Sequence, residues 1–261
     1  MVLFLLAPYA SPAGFVIYDA MQQRGKPDLE QYGFRPLNVV YARRLWPQGA
    51  KIDNPDTGWL GKYSKVLEKG AGTVCLDIEH WSTRGRDAAG VESSINKLLT
   101  VITTLRKYCP DKKYGYYGTL PVRDYWAPVR GRKDDILKWQ HQNSHLDVLA
   151  AAVDYIFPSL YTFYNDKAGW TKYAIANIRE ARKYGKPVIV FLWPQYHDSN
   201  FFRKFDYIDG DYWRLELETA WRYADGLVIW TPGGKLRRDW DESQPWWQQT
   251  KQFIKAHGLD N

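Results

Sequence analysis

Seven short runs of apolar, β-branched and aromatic residues recur along the chain, with helical patterns between several of them. The runs are FVIYDA (15–20), LNVVYA (37–42), TVCLDIE (73–79), KYGYYG (113–118), YIFPSLY (155–161), PVIVFLW (187–193) and GLVIWT (226–231). Strands this apolar suit a parallel sheet covered by helices, because such strands are buried on both faces. Helical periodicity is clearest over 91–107, where Val91, Ile95, Leu98, Leu99, Ile102 and Leu105 fall on one stripe. Further helices are predicted over 134–152, 168–184, 213–223 and 245–256. Alternating strands and helices give an α/β fold, and 261 residues fit one domain of that kind.

An open doubly wound sheet and a barrel both satisfy this order. Neither GxGxxG nor a phosphate-cradling GxxxxGKS/T follows the first strand, so the nucleotide-binding form of the open sheet loses its main support. Barrels gather functional groups at the C-terminal ends of their strands. Those ends carry Asp19, Asp77 with Glu79, Tyr116 with Tyr117, Tyr161, Trp193 and Trp230. The chain is therefore read as a single TIM-like (β/α) barrel over residues 1–261, distorted by having seven strands.

The third run ends in two carboxylates, Asp77 and Glu79. Side chains alternate along a strand, so both point to one side with Cα atoms roughly 6.6 Å apart. In the dry mouth of a barrel, like charges at this range disfavour double ionisation, and one proton is readily retained. A structural reading stands beside the catalytic one: the pair could salt-bridge Arg84 or Arg86, or cap the next helix. Glycosidic bond cleavage usually takes two carboxylates on opposite sides of the bond. No acid stands at the tips of the late strands, which end in Trp193 and Trp230. Asp19 or Asp124 could supply the partner of a conventional two-carboxylate glycosidase on a sugar without an acetamido group. A substrate-assisted route needs no such partner. There a 2-acetamido oxygen of the sugar attacks its own anomeric carbon, Glu79 serves as acid/base and Asp77 orients the acetamido group.

Composition narrows the partners. The chain has 13 Trp and 19 Tyr. Such rings suit a half-wet cleft that stacks on sugar faces, or equally an aromatic core. The net charge of +7 permits an anionic saccharide. There is no long Lys/Arg run, zinc-knuckle spacing or RNP-like stretch to support nucleic-acid binding. His141 and His145 in HQNSH have zincin spacing, but Gln142 stands where a zincin has Glu, so neither metal nor cofactor is expected. Cys75 and Cys109 make no disulfide framework. Residues 1–13 are either the remnant of a signal peptide, which favours a secreted or periplasmic location, or an apolar lead-in to the first strand. No stretch is long enough to span a membrane, and the chain is expected to be a monomer.

Four motifs resemble the hyaluronidases of animals and venoms. In that family the third strand ends in D-x-E-x-W, here DIEHW (77–81). The next strand reads Gly-aromatic-Tyr before a Pro-containing loop, here YGYYGTLP (114–121). FPSLY (157–161) and ADGLVIW (224–230) match the later Pro-Ser-aliphatic-Tyr and Asp-Gly-aliphatic-aliphatic-Trp strands. The motifs occur in family order, and the family's barrel also has seven strands.

The resemblance implies Glu79 as proton donor, Asp77 and Tyr117 as holders of the acetamido group, and Tyr161 and Trp230 as lining of that subsite. Trp81 belongs to the first motif and Tyr116 to the second. Trp193 and Tyr196 in FLWPQYHD are cleft-wall candidates by position only, and Asp19 by its place at a strand tip. This chain departs from the family in lacking its disulfides and the cysteine-rich module of some members, and in the loop after Gly118. The implied substrate is an N-acetylhexosamine-containing glycan. The remaining alternative is a barrel that binds glycan without turnover.

Overall fold

The computed structural model describes residues 14–85 and 87–260. Residues 1–13, with their signal-peptide reading, and Arg86 lie outside the described residues. Seven strands are formed: β1 (Val16–Ala20), β2 (Phe34–Pro36), β3 (Asn38–Tyr41), β4 (Thr73–Asp77), β5 (Lys113–Tyr116), β6 (Ile189–Leu192) and β7 (Gly226–Trp230). They are not the seven that the sequence pattern predicts. The second run forms β3 alone, and β2 is an additional strand just before it, on the other side of Leu37. The fifth run, 155–161, forms only isolated bridges. Pro158 interrupts it, because a proline has no N–H to give to a ladder.

All strand pairs are parallel and fall into two sheets, β2-β1-β7-β6 and β3-β4-β5. The bent strand at 34–41 joins them on one side: Phe34 pairs with Ile17, and Val39 with Cys75. Segment 155–162 joins them on the other, through the bridges Tyr117↔Phe157, Ile156↔Val188 and Ser159↔Phe191. The strands thus follow one another around a barrel ring, without forming one closed ladder.

The period-two alternation sorts side chains cleanly. Tyr18, Cys75, Phe157, Tyr161, Ile189, Phe191, Trp193 and Val228 make one buried cluster inside the ring. Ile17, Val40, Val74, Leu76, Ile78, Ile156, Leu160, Val190 and Leu227 belong to a second cluster that packs outward under the helices. Gly115 permits the tightest approach. A Cβ there would lie 2.5 Å from the Tyr155 carbonyl oxygen and 2.6 Å from the Phe157 ring.

The helices are α1 (Thr57–Glu68), α2 (Ala88–Tyr108), α3 (Trp126–Arg130), α4 (Lys133–Ser144), α5 (Asp147–Ala152), α6 (Lys167–Arg182), α7 (Gly210–Tyr223) and α8 (Pro245–Ala256). The helix expected over 134–152 is broken into α4 and α5. α1 was not expected. It starts at Asp56, whose carboxylate accepts from the Trp59 N–H at 2.8 Å, and it buries Leu60, Ser64 and Leu67. Trp170, Trp213, Trp246 and Trp247 are core residues, so the aromatic excess serves the core as well as the cleft. No described helix is long and apolar enough to cross a membrane.

Candidate active site

Strand β4 delivers Asp77 at its last position, and Glu79 follows two residues on, beyond the ladder. Both line a cavity of about 210 Å³ inside the ring mouth. Neither carboxylate has a hydrogen-bond or ion-pair partner among the described residues. Arg84, one of the two arginines that could have paired with them, instead reaches Asp124 at 3.5 Å. Burial, and secondly the charge of Glu79, push the Asp77 carboxyl up to about 7. Asp77 therefore titrates near neutral pH instead of in the acid range of an ordinary carboxylate.

Tyr117 stands beside them on β5's continuation, and its hydroxyl meets Ser159 Oγ at 3.0 Å. Arg123 Nη1 donates to the same Ser159 Oγ at 3.1 Å, and its guanidinium lies 4.6 Å from the Phe163 ring centroid. Burial raises the Tyr117 phenol, so it stays protonated.

The other wall is aromatic. Tyr161 stacks on Trp230 with centroids 5.6 Å apart and planes at 24°, while Trp193 meets Trp230 edge-on at 5.0 Å. Both indole N–H groups are tied back: Trp230 donates to the Tyr41 hydroxyl at 3.0 Å, and Trp193 to Gln195 Oε1 at 2.9 Å. His197, Asp198 and Phe205 complete this wall. Burial lowers the His197 imidazole and outweighs the opposing pull of Asp198, which keeps the ring neutral.

A second cavity of about 250 Å³ adjoins the first and shares Glu79 and Tyr117 with it. It is lined by Trp81, Ser82, Thr83, Arg84, Gly118, Thr119, Arg123 and Ser159 among others. Glu79 thus stands where two compartments meet, with space on either side of it.

The ring brings together Asp77, Glu79, Tyr117, Tyr161, Trp193 and Trp230, with Trp81 on the second cavity. Trp81 is only 6% exposed, its N–H donates to the Ile52 carbonyl, and its ring abuts Trp46. Three sequence candidates go elsewhere. Asp19 has the parity of Ile17 and faces outward, where it binds Lys26 Nζ and the Met21 N–H. Tyr116 also points outward, donating to the Leu98 carbonyl in α2 at 2.7 Å. Tyr196 is fully buried outside the cavity, its hydroxyl on Asn165. Asp124, the other candidate partner acid, caps α3 through the Ala127 N–H at 2.8 Å.

Sequence reasoning missed Tyr41, Arg123, Ser159, His197 and Phe205. Tyr41 and Ser159 share parity with Val39 and with Phe157 and Tyr161, a signal that was there to use. Arg123, His197 and Phe205 sit on loops, where no periodicity marks them. His141 and His145 lie with rings 5.0 Å apart, and no cluster fit for a metal ion occurs among the described residues.

No protein-family model and no curated protein matches the sequence. Solved structures do. The chain is similar to bee venom hyaluronidase in complex with a hyaluronic acid tetramer, at TM-score 0.62 and 14% identity, covering 94% of this chain and 97% of that one. A monoclinic crystal form of bee venom hyaluronidase gives TM-score 0.60 at 13% identity, covering 94% and 98%. A fungal β-1,4-galactanase gives 0.51 at 12%, covering 93% and 87%. At such identities the likeness speaks for the backbone, and it establishes the chain as an α/β protein of the TIM-like barrel fold.

Proposed function

We propose that the protein is a glycosidase that cleaves an N-acetylhexosamine-containing glycan by substrate-assisted, retaining catalysis. The observation that carries this reading is the unpaired carboxylate pair, Asp77 and Glu79, lining one cavity with Tyr117 and a stacked Tyr161–Trp230 wall. A structural acid pair would be neutralised by arginine or capping a helix, and this one does neither among the described residues. The barrel shared with glycoside hydrolases, one of them solved with a hyaluronic acid tetramer, supports a saccharide ligand.

In this mechanism the pair carries one proton. Before the sugar binds, that proton is on Asp77, since burial disfavours that carboxylate. A bound acetamido N–H calls for an acceptor, so Asp77 ionises and the proton passes to Glu79. The acetamido oxygen, held by the Tyr117 hydroxyl, then attacks the anomeric carbon from the face opposite the leaving group. The glycosidic bond breaks as Glu79 gives its proton to the departing oxygen. Asp77 accepts the N–H of the cyclic oxazolinium and balances its charge. Water, deprotonated by Glu79, attacks the same carbon, reopens the ring and restores both the acetamido group and the acid. The configuration is inverted twice and so retained. Space on both sides of Glu79 suits cleavage within a chain.

The test is the release of new reducing ends from a panel of N-acetylated glycans. Glu79→Gln should lose ~10²–10⁴-fold in kcat, and a thiazoline mimic of the cyclic intermediate should inhibit the wild type. Asp198 also lines the cavity but is 63% exposed and lies against His197. Asp198→Asn should therefore leave kcat intact. Indifference to the thiazoline combined with a dead Asp198→Asn enzyme would establish a two-carboxylate mechanism instead.

A further inference from the structure

Two phenylalanines stand almost entirely in water beside the cavity. Phe201 is 85% exposed and Phe202 89%, with ring centroids 5.1 Å apart. They form the tip of a loop whose two flanks both line the cavity, His197 and Asp198 on one side and Phe205 on the other. The tip therefore lies on the rim of the cleft.

The loop is held in shape. Asn200 Oδ1 accepts from the Phe202 and Arg203 N–H groups at 3.1 and 2.9 Å, and its Nδ2 donates to the Phe163 carbonyl at 2.8 Å. Arg203 Nη1 donates to the Tyr196 hydroxyl at 3.0 Å. Phe205 closes the loop with φ of 66°, the only positive φ at a non-glycine among the described residues. That conformation disfavours a bulky side chain. Its carbonyl accepts from Gln195 Nε2 at 2.6 Å and Arg238 Nη2 at 2.7 Å, and its N–H donates to the Tyr196 carbonyl at 2.9 Å. Backbone strain and three anchoring bonds thus present two apolar rings that bury nothing within the protein.

We infer that Phe201 and Phe202 form a platform for a distal stretch of a polysaccharide chain whose cleaved unit lies at Glu79. This rests on the glycosidase reading and deepens it: the substrate is a polymer, gripped outside the catalytic cavity. Rings stack on the C–H faces of sugars without needing charge. Charge gives an anionic lipid surface no net attraction, because Asp198 and Asp206 balance Arg203 and Lys204 at the tip, and Asp206 lies 3.7 Å from the Arg203 guanidinium.

Binding can be read without turnover in a Glu79→Gln background. Retention on hyaluronan and on chitin, each as polymer and as tetrasaccharide, is compared with and without the pair Phe201→Ala and Phe202→Ala. Both rings are solvent-exposed, so an unchanged melting temperature is expected. The platform predicts a loss of about tenfold in polymer affinity with tetrasaccharide affinity unchanged. Equal effects on both lengths, no effect on either, or no binding of either length overturns it. So does phosphatidylserine-vesicle binding that depends on the two rings while polymer binding does not. The two readings fail separately: ring-dependent polymer binding without any release of reducing ends by the wild type sinks the glycosidase and leaves the platform.

Discussion

The protonation of Asp77 ties the candidate chemistry to stability, and Asp77→Asn exposes the link. An unfolded aspartate titrates near 3.9, whereas burial and Glu79 raise the folded carboxyl to about 7. Between those values the folded state holds a proton that the unfolded state has lost. Stability from this group is complete below pH 4, falls as pH rises through the window, and levels off above the folded value. The slope is about 1.4 kcal/mol per pH unit. Between pH 5 and pH 8 the two titration curves give a loss of about 2–3 kcal/mol from this group. Asparagine cannot titrate, and among the other groups only Glu79 is directly coupled to this position. Urea denaturation of wild type and Asp77→Asn at pH 5, 6, 7 and 8 should show the variant gaining about 2–3 kcal/mol relative to wild type over that range. A difference that stays flat would mean that the carboxyl is well solvated, and the resting proton would have to be placed elsewhere. The same variant should lose ~10²–10³-fold in kcat, so that its relative gain in stability toward pH 8 comes with a loss of activity.

Gly115→Ala should cost about 1–3 kcal/mol in urea denaturation, because its methyl would meet the Tyr155 carbonyl and the Phe157 ring; a neutral result would show that segment 155–161 yields easily. Glu216 is buried, accepts from Thr162 Oγ1, and leaves Oε2 without a partner, while burial holds its carboxyl well above the usual range. Glu216→Ala should therefore destabilise by about 1–3 kcal/mol. Glu216→Gln, neutral and similar in shape, should cost clearly less in the same assay, and equal losses would mean that the group is buried ionised.

Alternation made the central pair legible. Asp77 and Glu79 are two apart at the end of an apolar run, and any strand in that register puts them on one face. The same rule separates Tyr117 from Tyr116, since adjacent residues cannot both face the cavity. Asp19 was harder to place. Val16, Ile17 and Tyr18 are apolar or aromatic on both faces, so only the observed register with β7 shows which side Asp19 takes. Residues 155–161 read as a strand because the composition is right; one proline reduces them to bridges while leaving Tyr161 correctly aimed. α1 was hidden by Gly58 and Gly61, poor helix formers that outweighed the Asp56 cap and the Leu60–Leu67 stripe. Arg123, His197 and Phe205 are placed by loop anchoring, which leaves no periodic trace.

The split of the ring into two sheets divides labour within the cleft. Asp77, Tyr117 and Tyr41 belong to the three-stranded sheet or its immediate extension, as Glu79 does, whereas Trp193 and Trp230 extend from or end strands of the four-stranded one. The carboxylates and the two indoles thus rest on different ladders, which meet across the cavity where Trp230 donates to the Tyr41 hydroxyl. Under the proposed chemistry, substitutions in the four-stranded sheet would change the aromatic wall while the acids keep their spacing.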